Sequence, residues 1–193
     1  MAAVRRNIVE SPADAAVFVD VVQALKQSST GLRASELGIP GSALRDDVDL
    51  SWWDLFVIWH SWSMRLTTGG GRNAAHSGPV FLPWHRWFMV VLEFQMRAQL
   101  GLGDDDFGLP YWDWAADGDL TPSAQPTAPV WEIVGGQESG FAGEVTTGPF
   151  SPDNGFVVSI DQDPSTLAPR VTCLLYTSPS PRDLSTSRMP SSA

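Results

Sequence analysis

A chain of 193 residues with a formal charge of −10 is the size of one domain and can bury a core of its own. With 43% hydrophobic and 18% charged residues it fits a globular protein rather than a disordered one. The acidic balance argues against nucleic acid or an anionic membrane surface as partner, since both need clustered Lys and Arg; Lys26 is the single lysine and the arginines are scattered.

No stretch is apolar for long enough to cross a bilayer. The segment Met1 to Glu10 has two arginines with no apolar run behind them, so no signal peptide is expected. The expected location is cytoplasmic, or exported with the help of a partner protein. The one cysteine, Cys173, lies near the C-terminal end, which leaves the rest without disulfides, zinc thiolates or a cysteine nucleophile.

Ser11-Pro12-Ala13-Asp14 reads as a helix start, with proline at the first helical position and an acid after it. Val17, Phe18, Val21, Val22 and Leu25 then recur at helical spacing, predicting a helix from about 12 to 27. Residues 28–50 carry Gly31, Gly38, Pro40 and Gly41 and read as a long loop. Ser51-Trp52-Trp53-Asp54 resembles a capping box. The helix after it would hold Trp52, Phe56, Trp59, His60 and Ser63 on one side, until Thr67 to Gly71 breaks it. A third helix is predicted from about 84 to 100, with Phe88, Val91, Leu92 and Met96 as its apolar stripe and Gly101 and Gly103 as its stop. Residues 115–170 are rich in Gly, Pro, Ser and Thr and read as mostly loop, with short strands at Glu144–Thr147 and Val157–Ile160.

The last 21 residues, Cys173 to Ala193, have no apolar periodicity, and 11 of them are Ser, Thr or Pro. One reading is a disordered linker. A sharper one is that Cys173 to Asp183, and again Ser187 to Ala193, resemble the translation of a transposase-type sequencing-library adapter. The expected division is therefore 1–172 as the natural polypeptide and 173–193 as a non-native, disordered tail.

All nine tryptophans lie between Trp52 and Trp131, and the only three histidines, His60, His76 and His85, fall in the same window. Neutral imidazole is a ligand for copper, zinc, nickel or iron. Two antiparallel helices and their connecting loop can bring such residues to one point. Spacing alone leaves the alternative that they are unrelated core or surface histidines.

The surrounding residues are more specific. Gly78-Pro79-Val80-Phe81-Leu82-Pro83-Trp84-His85-Arg86-Trp87-Phe88, then Leu92-Glu93-Phe94, then Pro110-Tyr111-Trp112-Asp113-Trp114, resemble the first copper-binding region of the tyrosinase family. Asp54-Leu55-Phe56 before His60 resembles the family's first-ligand helix, and the steps of 16 and 9 residues between histidines are similar to those of bacterial members. The likeness covers roughly residues 1–170 and is strongest from 51 to 114.

That resemblance implies one copper ion held by His60, His76 and His85. A cysteine two residues before the second ligand forms a thioether bridge in some members; here Ala74 stands there. Asn73 or the backbone beside it is then expected to help hold His76. Glu93 and Asp113 are candidate acids behind the ligands or locks of the fold, with Arg86 or Arg97 as ion-pair partners. Trp84, Trp112 and Trp114 are expected to pack the core rather than touch substrate.

In the family, two facing coppers activate O₂ to oxidise monophenols and o-diphenols to o-quinones, and a second histidine triad follows. The chain has no fourth histidine. The expected fold is therefore mainly α, a truncated half of a type 3 dicopper four-helix-bundle domain with long irregular loops. Such a half, holding one copper of two, would be inactive alone, with the apolar faces of its second and third helices left bare. The implied partners of the full-length protein are a phenolic small molecule and O₂, with a copper-delivery or export protein. The competing readings are an oxygen-carrying, hemocyanin-like dicopper protein, a three-histidine zinc hydrolase, and a metal-free helical interaction domain.

Overall fold

The computed structural model describes residues 3–37, 49–65, 67–68, 72–73, 75, 79–121, 123–136, 145–157, 161–162 and 169–170. The adapter-like tail, His76 and Ala74 lie outside the described residues.

The first helix, α1, spans Pro12–Gln27. Pro12 occupies the first turn, where its missing N–H costs nothing. Ser11 precedes it, but its side chain makes no capping bond. Asp14 pairs instead with Arg6 at 3.0 Å. Val21, Val22 and Leu25 are fully buried.

Residues 28–37 and 49–50 differ from the expected loop, and 38–48 lie outside the described residues. Strand β1, Ser29–Arg33, pairs antiparallel with β2, Asp49–Ser51, and Ala34–Leu37 forms a 3-10 turn. The Thr30 hydroxyl donates to the Leu50 carbonyl at 2.8 Å. Gly31 sits at φ 71°, which is why β1 looks like a turn when read locally. Helix α2, Trp52–Arg65, follows at once. Its first turn is capped as expected: the Asp54 N–H donates to Ser51 Oγ at 3.0 Å.

Two two-residue strands, β3 (Thr67–Thr68) and β4 (Arg72–Asn73), pair antiparallel after α2. Helix α3 spans Phe81–Leu100, three residues longer at its start than the sequence suggests. Pro83 falls in the first turn, among positions with no intrahelical acceptor for an N–H, so it extends the helix backward instead of marking its edge. The helix stops at Gly101, φ 64°, whose neighbour Leu102 returns its N–H to Arg97 O at 2.9 Å.

Beyond it lie two short helices, α4 (Trp114–Gly118) and α5 (Val130–Val134), with 3-10 turns at Gln125–Thr127 and Pro152–Asn154. Of the strand expected at Glu144–Thr147, Val145 is a single bridge residue and Glu144 lies outside the described residues. Val157 is irregular and 158–160 fall outside as well. A last pair, β5 (Asp161–Gln162) and β6 (Pro169–Arg170), is antiparallel.

Helix α1 packs on α2, α3 and α5. The main core joins Val21, Val22 and Leu25 of α1, Trp53 and Ile58 of α2, Met96 of α3, and Phe107, Leu109, Phe150 and Phe156 from the loops. The fold is thus mainly α, as expected, with three small hairpins added. No helix among the described residues is long and apolar enough to cross a membrane.

Glu93 is the knot of this arrangement. Its carboxylate accepts from Arg97 at 2.8 Å, from Arg5 at 3.1 Å and from the Leu109 backbone N–H at 2.8 Å. Arg97 also donates to Phe107 O at 2.7 Å. One turn of α3 therefore clamps both the 107–109 segment and the N-terminal strand-like stretch, which bridges in parallel through Asn7 and Tyr111.

The far side of α3 is apolar and uncovered. Trp87 is 48% exposed, Phe94 59% and Leu82 74%, with Val90 also exposed. Trp87, Val90 and Phe94 recur three and four residues apart, so they form one stripe. Such a stripe favours self-association. Val90→Glu with Phe94→Glu is expected to shift the sedimentation profile toward monomer while changing stability by less than about 0.5 kcal/mol per site, the usual range for surface positions. A wild-type chain already monomeric at high concentration would contradict this.

Candidate metal centre

The helices α2 and α3 meet through an aromatic ladder whose contacts run antiparallel. Phe56 meets Phe88 with ring centroids 5.6 Å apart. One turn later along α2, His60 meets Trp84 at 6.0 Å and His85 at 5.6 Å. The two imidazoles are half-buried and inclined at 72°.

Each ring is fixed by its own helix. On α2, Trp53, Phe56, His60 and Ser63 share a face, and all but His60 are buried. The Ser63 hydroxyl donates to the His60 carbonyl at 2.6 Å. On α3, His85 lies in line with Phe88, Leu92 and Met96, the stripe that faces the core. With α3 starting at Phe81, His85 is one turn into the helix rather than in its opening turn. His85 Nδ1 lies 2.8 Å from the Phe81 carbonyl oxygen, and the Phe81 ring lies against the imidazole at 4.3 Å.

Trp84 stacks on Phe88 at 5.1 Å and 13°, and both flank His60. Trp59 adds an edge contact to Trp87 at 5.2 Å. The wall around the imidazole pair is therefore aromatic.

The donor set fits a histidine-bound transition metal. Imidazole nitrogen binds such an ion at roughly 2.0–2.1 Å, which puts each ring centre roughly 3 Å from the metal and two shared rings within about 6.5 Å of each other. The observed 5.6 Å lies inside that limit. Among the described residues no three His, Cys, Asp or Glu form one metal-holding group; the third candidate ligand, His76, lies outside them.

The two candidate acids are engaged elsewhere. Glu93 serves the clamp described above. Asp113 caps α4, accepting from the Ala116 N–H at 3.3 Å. Arg86 is exposed. Asn73 belongs to β4. Trp112 packs on Trp131 at 5.4 Å and donates to Asp117 at 2.6 Å. Trp114 is exposed rather than part of the core.

Phe81 was not legible as part of the site, since a helix begun at residue 84 leaves it in a loop. Proline's tolerance throughout a first turn is the signal that would have included it.

Comparison with known proteins shows the family. The common central domain of tyrosinase matches residues 50–183, a span that runs into the adapter-like tail. A 5,6-dihydroxyindole-2-carboxylic acid oxidase from Carassius auratus is 36% identical over 131 residues, covering 60% of this chain and 24% of that protein. A tyrosinase from Streptomyces lincolnensis is 37% identical over 98 residues, 51% of this chain and 33% of its own. One from Streptomyces antibioticus is 38% identical over 105 residues, covering 53% and 35%. The chain thus spans about a quarter to a third of the length of these relatives. The domain match covers well over half of the chain and includes both imidazole-bearing helices, and the chain belongs to the tyrosinase family, a family of copper proteins.

Proposed function

We propose that this chain binds one copper ion through His60, His76 and His85, and that it represents one copper-binding half of a phenol oxidase that turns monophenols and o-diphenols into o-quinones with O₂. The observation that carries the reading is the pairing of His60 and His85 across α2 and α3 at 5.6 Å, inside the span that matches the tyrosinase domain. Copper, when bound, supplies the one-electron redox chemistry and the activation of oxygen. The chain supplies the rest. His60 is held by its helix and by Trp84 and Phe88, and His85 by the Phe81 carbonyl and ring.

The chain holds three histidines, enough for one triad. The family chemistry needs two facing coppers, so we propose that this polypeptide alone does not oxidise phenols. We further propose that residues 1–172 form the metal-binding unit and that 173–193 are foreign to it. Partners of the whole protein would be a phenol and O₂, with a copper-delivery or export protein supplying the metal.

The test is copper loading followed by metal analysis and turnover. One equivalent of copper, retained through a cycle of reduction and reoxidation, with L-DOPA oxidation no faster than free copper, is the expected result. Failure to retain copper, or zinc retained with ester hydrolysis, would overturn the assignment. Quinone formation above the free-copper rate would overturn the single-copper part.

A further inference from the structure

We propose that Phe81 is a positioning residue for His85: its carbonyl oxygen holds the proton on Nδ1 and its ring holds the imidazole plane, so that a metal is met by Nε2. The inference rests on the copper reading above for its purpose, but its structural half stands on geometry alone. A backbone carbonyl can only accept. The 2.8 Å contact between Nδ1 and Phe81 O therefore assigns the proton to Nδ1 and the ring lone pair to Nε2. Only a nitrogen with its lone pair available for the metal can ligate, and the bond made by the other nitrogen decides which one that is.

The local fold makes the acceptor rigid. Phe81 is the first residue of α3, and the carbonyl four residues before a helical histidine lies directly beneath its side chain. Trp84 N–H closes the first helical bond onto Val80 at 3.0 Å, fixing the turn that carries the Phe81 carbonyl.

The ring contacts oppose rotation. Phe81 lies 4.3 Å from the imidazole at 42°, and Trp84 lies 4.9 Å away at 71°. A half-turn of the imidazole would replace Nδ1 by carbon at the carbonyl and lose the bond. Two different parts of Phe81 thus act on one ring. The carbonyl selects the tautomer and the phenyl group selects the orientation.

The experiment separates these parts. In metal-free protein labelled with ¹⁵N-histidine, long-range ¹H–¹⁵N correlation is expected to show His85 mainly as the Nδ1–H tautomer. Phe81→Ala keeps the carbonyl but removes the ring. It should weaken Cu²⁺ binding by roughly tenfold, the scale of supporting contacts at metal sites, while Phe81→Leu restores most of it. Replacing Leu82 by its α-hydroxy acid turns the Phe81 carbonyl into an ester, a weaker acceptor, with no side-chain change. The lost N–H belongs to the first turn, where no intrahelical acceptor exists, so the fold is kept even if Phe81→Ala proves unstable. The ester chain should lose the tautomer preference and bind Cu²⁺ more weakly.

An ester chain with unchanged tautomer and unchanged Cu²⁺ affinity would overturn the inference, as would a predominantly Nε2–H His85 in the metal-free protein. Copper binding with the tautomer unfixed refutes this inference alone. An Nδ1–H tautomer in a chain that binds no copper refutes the copper reading, and with it the role given to Phe81.

Discussion

Lys26→Met should lower the stability of this protein by about 3 kcal/mol or more, the scale for removing one partner of a buried ion pair. Lys26 Nζ lies 2.6 and 2.7 Å from the two carboxylate oxygens of Asp54. The two side chains are only 15% and 11% exposed, so water screens the pair weakly. Lys26 stands in the last turn of α1 and Asp54 in the first turn of α2, where each charge also meets the favourable end of a helix dipole. Methionine keeps the alkyl stem but leaves a carboxylate half desolvated and without its cation.

The double variant Lys26→Met, Asp54→Leu should recover most of the loss, because an apolar pair of similar volume carries no stranded charge. Urea unfolding of the two single variants and the double variant gives the coupling directly. A Lys26→Met chain within 1 kcal/mol of wild type, as read by the same unfolding (a limit set by the usual spread of surface substitutions), would show that the pair is solvent-screened in practice. The same pair anchors the start of α2 less than two turns before His60, so a chain that loosens there should also bind copper less tightly.

What could be read locally was read well. The three long helices declared themselves because each combined apolar periodicity with a terminal signal: Pro12 in the first turn of α1, Ser51 bonded to the Asp54 N–H at 3.0 Å, and Gly101 at φ 64° closing α3. That His60 and His85 share a site was implied by the likeness of the residues around them to the family's first copper-binding region, since their spacing alone left them unrelated.

Features built from distant residues stayed hidden. Strand β1 contains a glycine at positive φ and pairs across an intervening stretch of chain, so nothing near it announces a strand. Helices α4 and α5, five residues each, are too short to show a period. Glu93 was visible as an acid near the site. Its role in joining Arg5, 88 residues away, to Leu109 depends on chain contacts that no local pattern encodes. The start of α3 lies three residues before the predicted one, since Pro83 sits in the first turn, where proline is compatible with a helix.

The sharpest consequence of the imidazole pair is that His60→Ala and His85→Ala should each weaken Cu²⁺ binding by at least about 100-fold, more than the loss of a supporting contact costs. Neither should act alone, because the two rings come from different helices and a single surface imidazole is a weak ligand. Phe94→Glu, on the uncovered face of the same helix, is the control and should leave the affinity unchanged. Equilibrium competition with a chelator gives the affinities, and electron paramagnetic resonance counts the bound nitrogens. Each variant should lose one nitrogen from the wild-type signal, with circular dichroism confirming that α2 and α3 persist. If His85→Ala abolished binding while His60→Ala left affinity and spectrum intact, the 5.6 Å approach of the rings would be ordinary aromatic packing between two helices. The metal would then have to be held without α2.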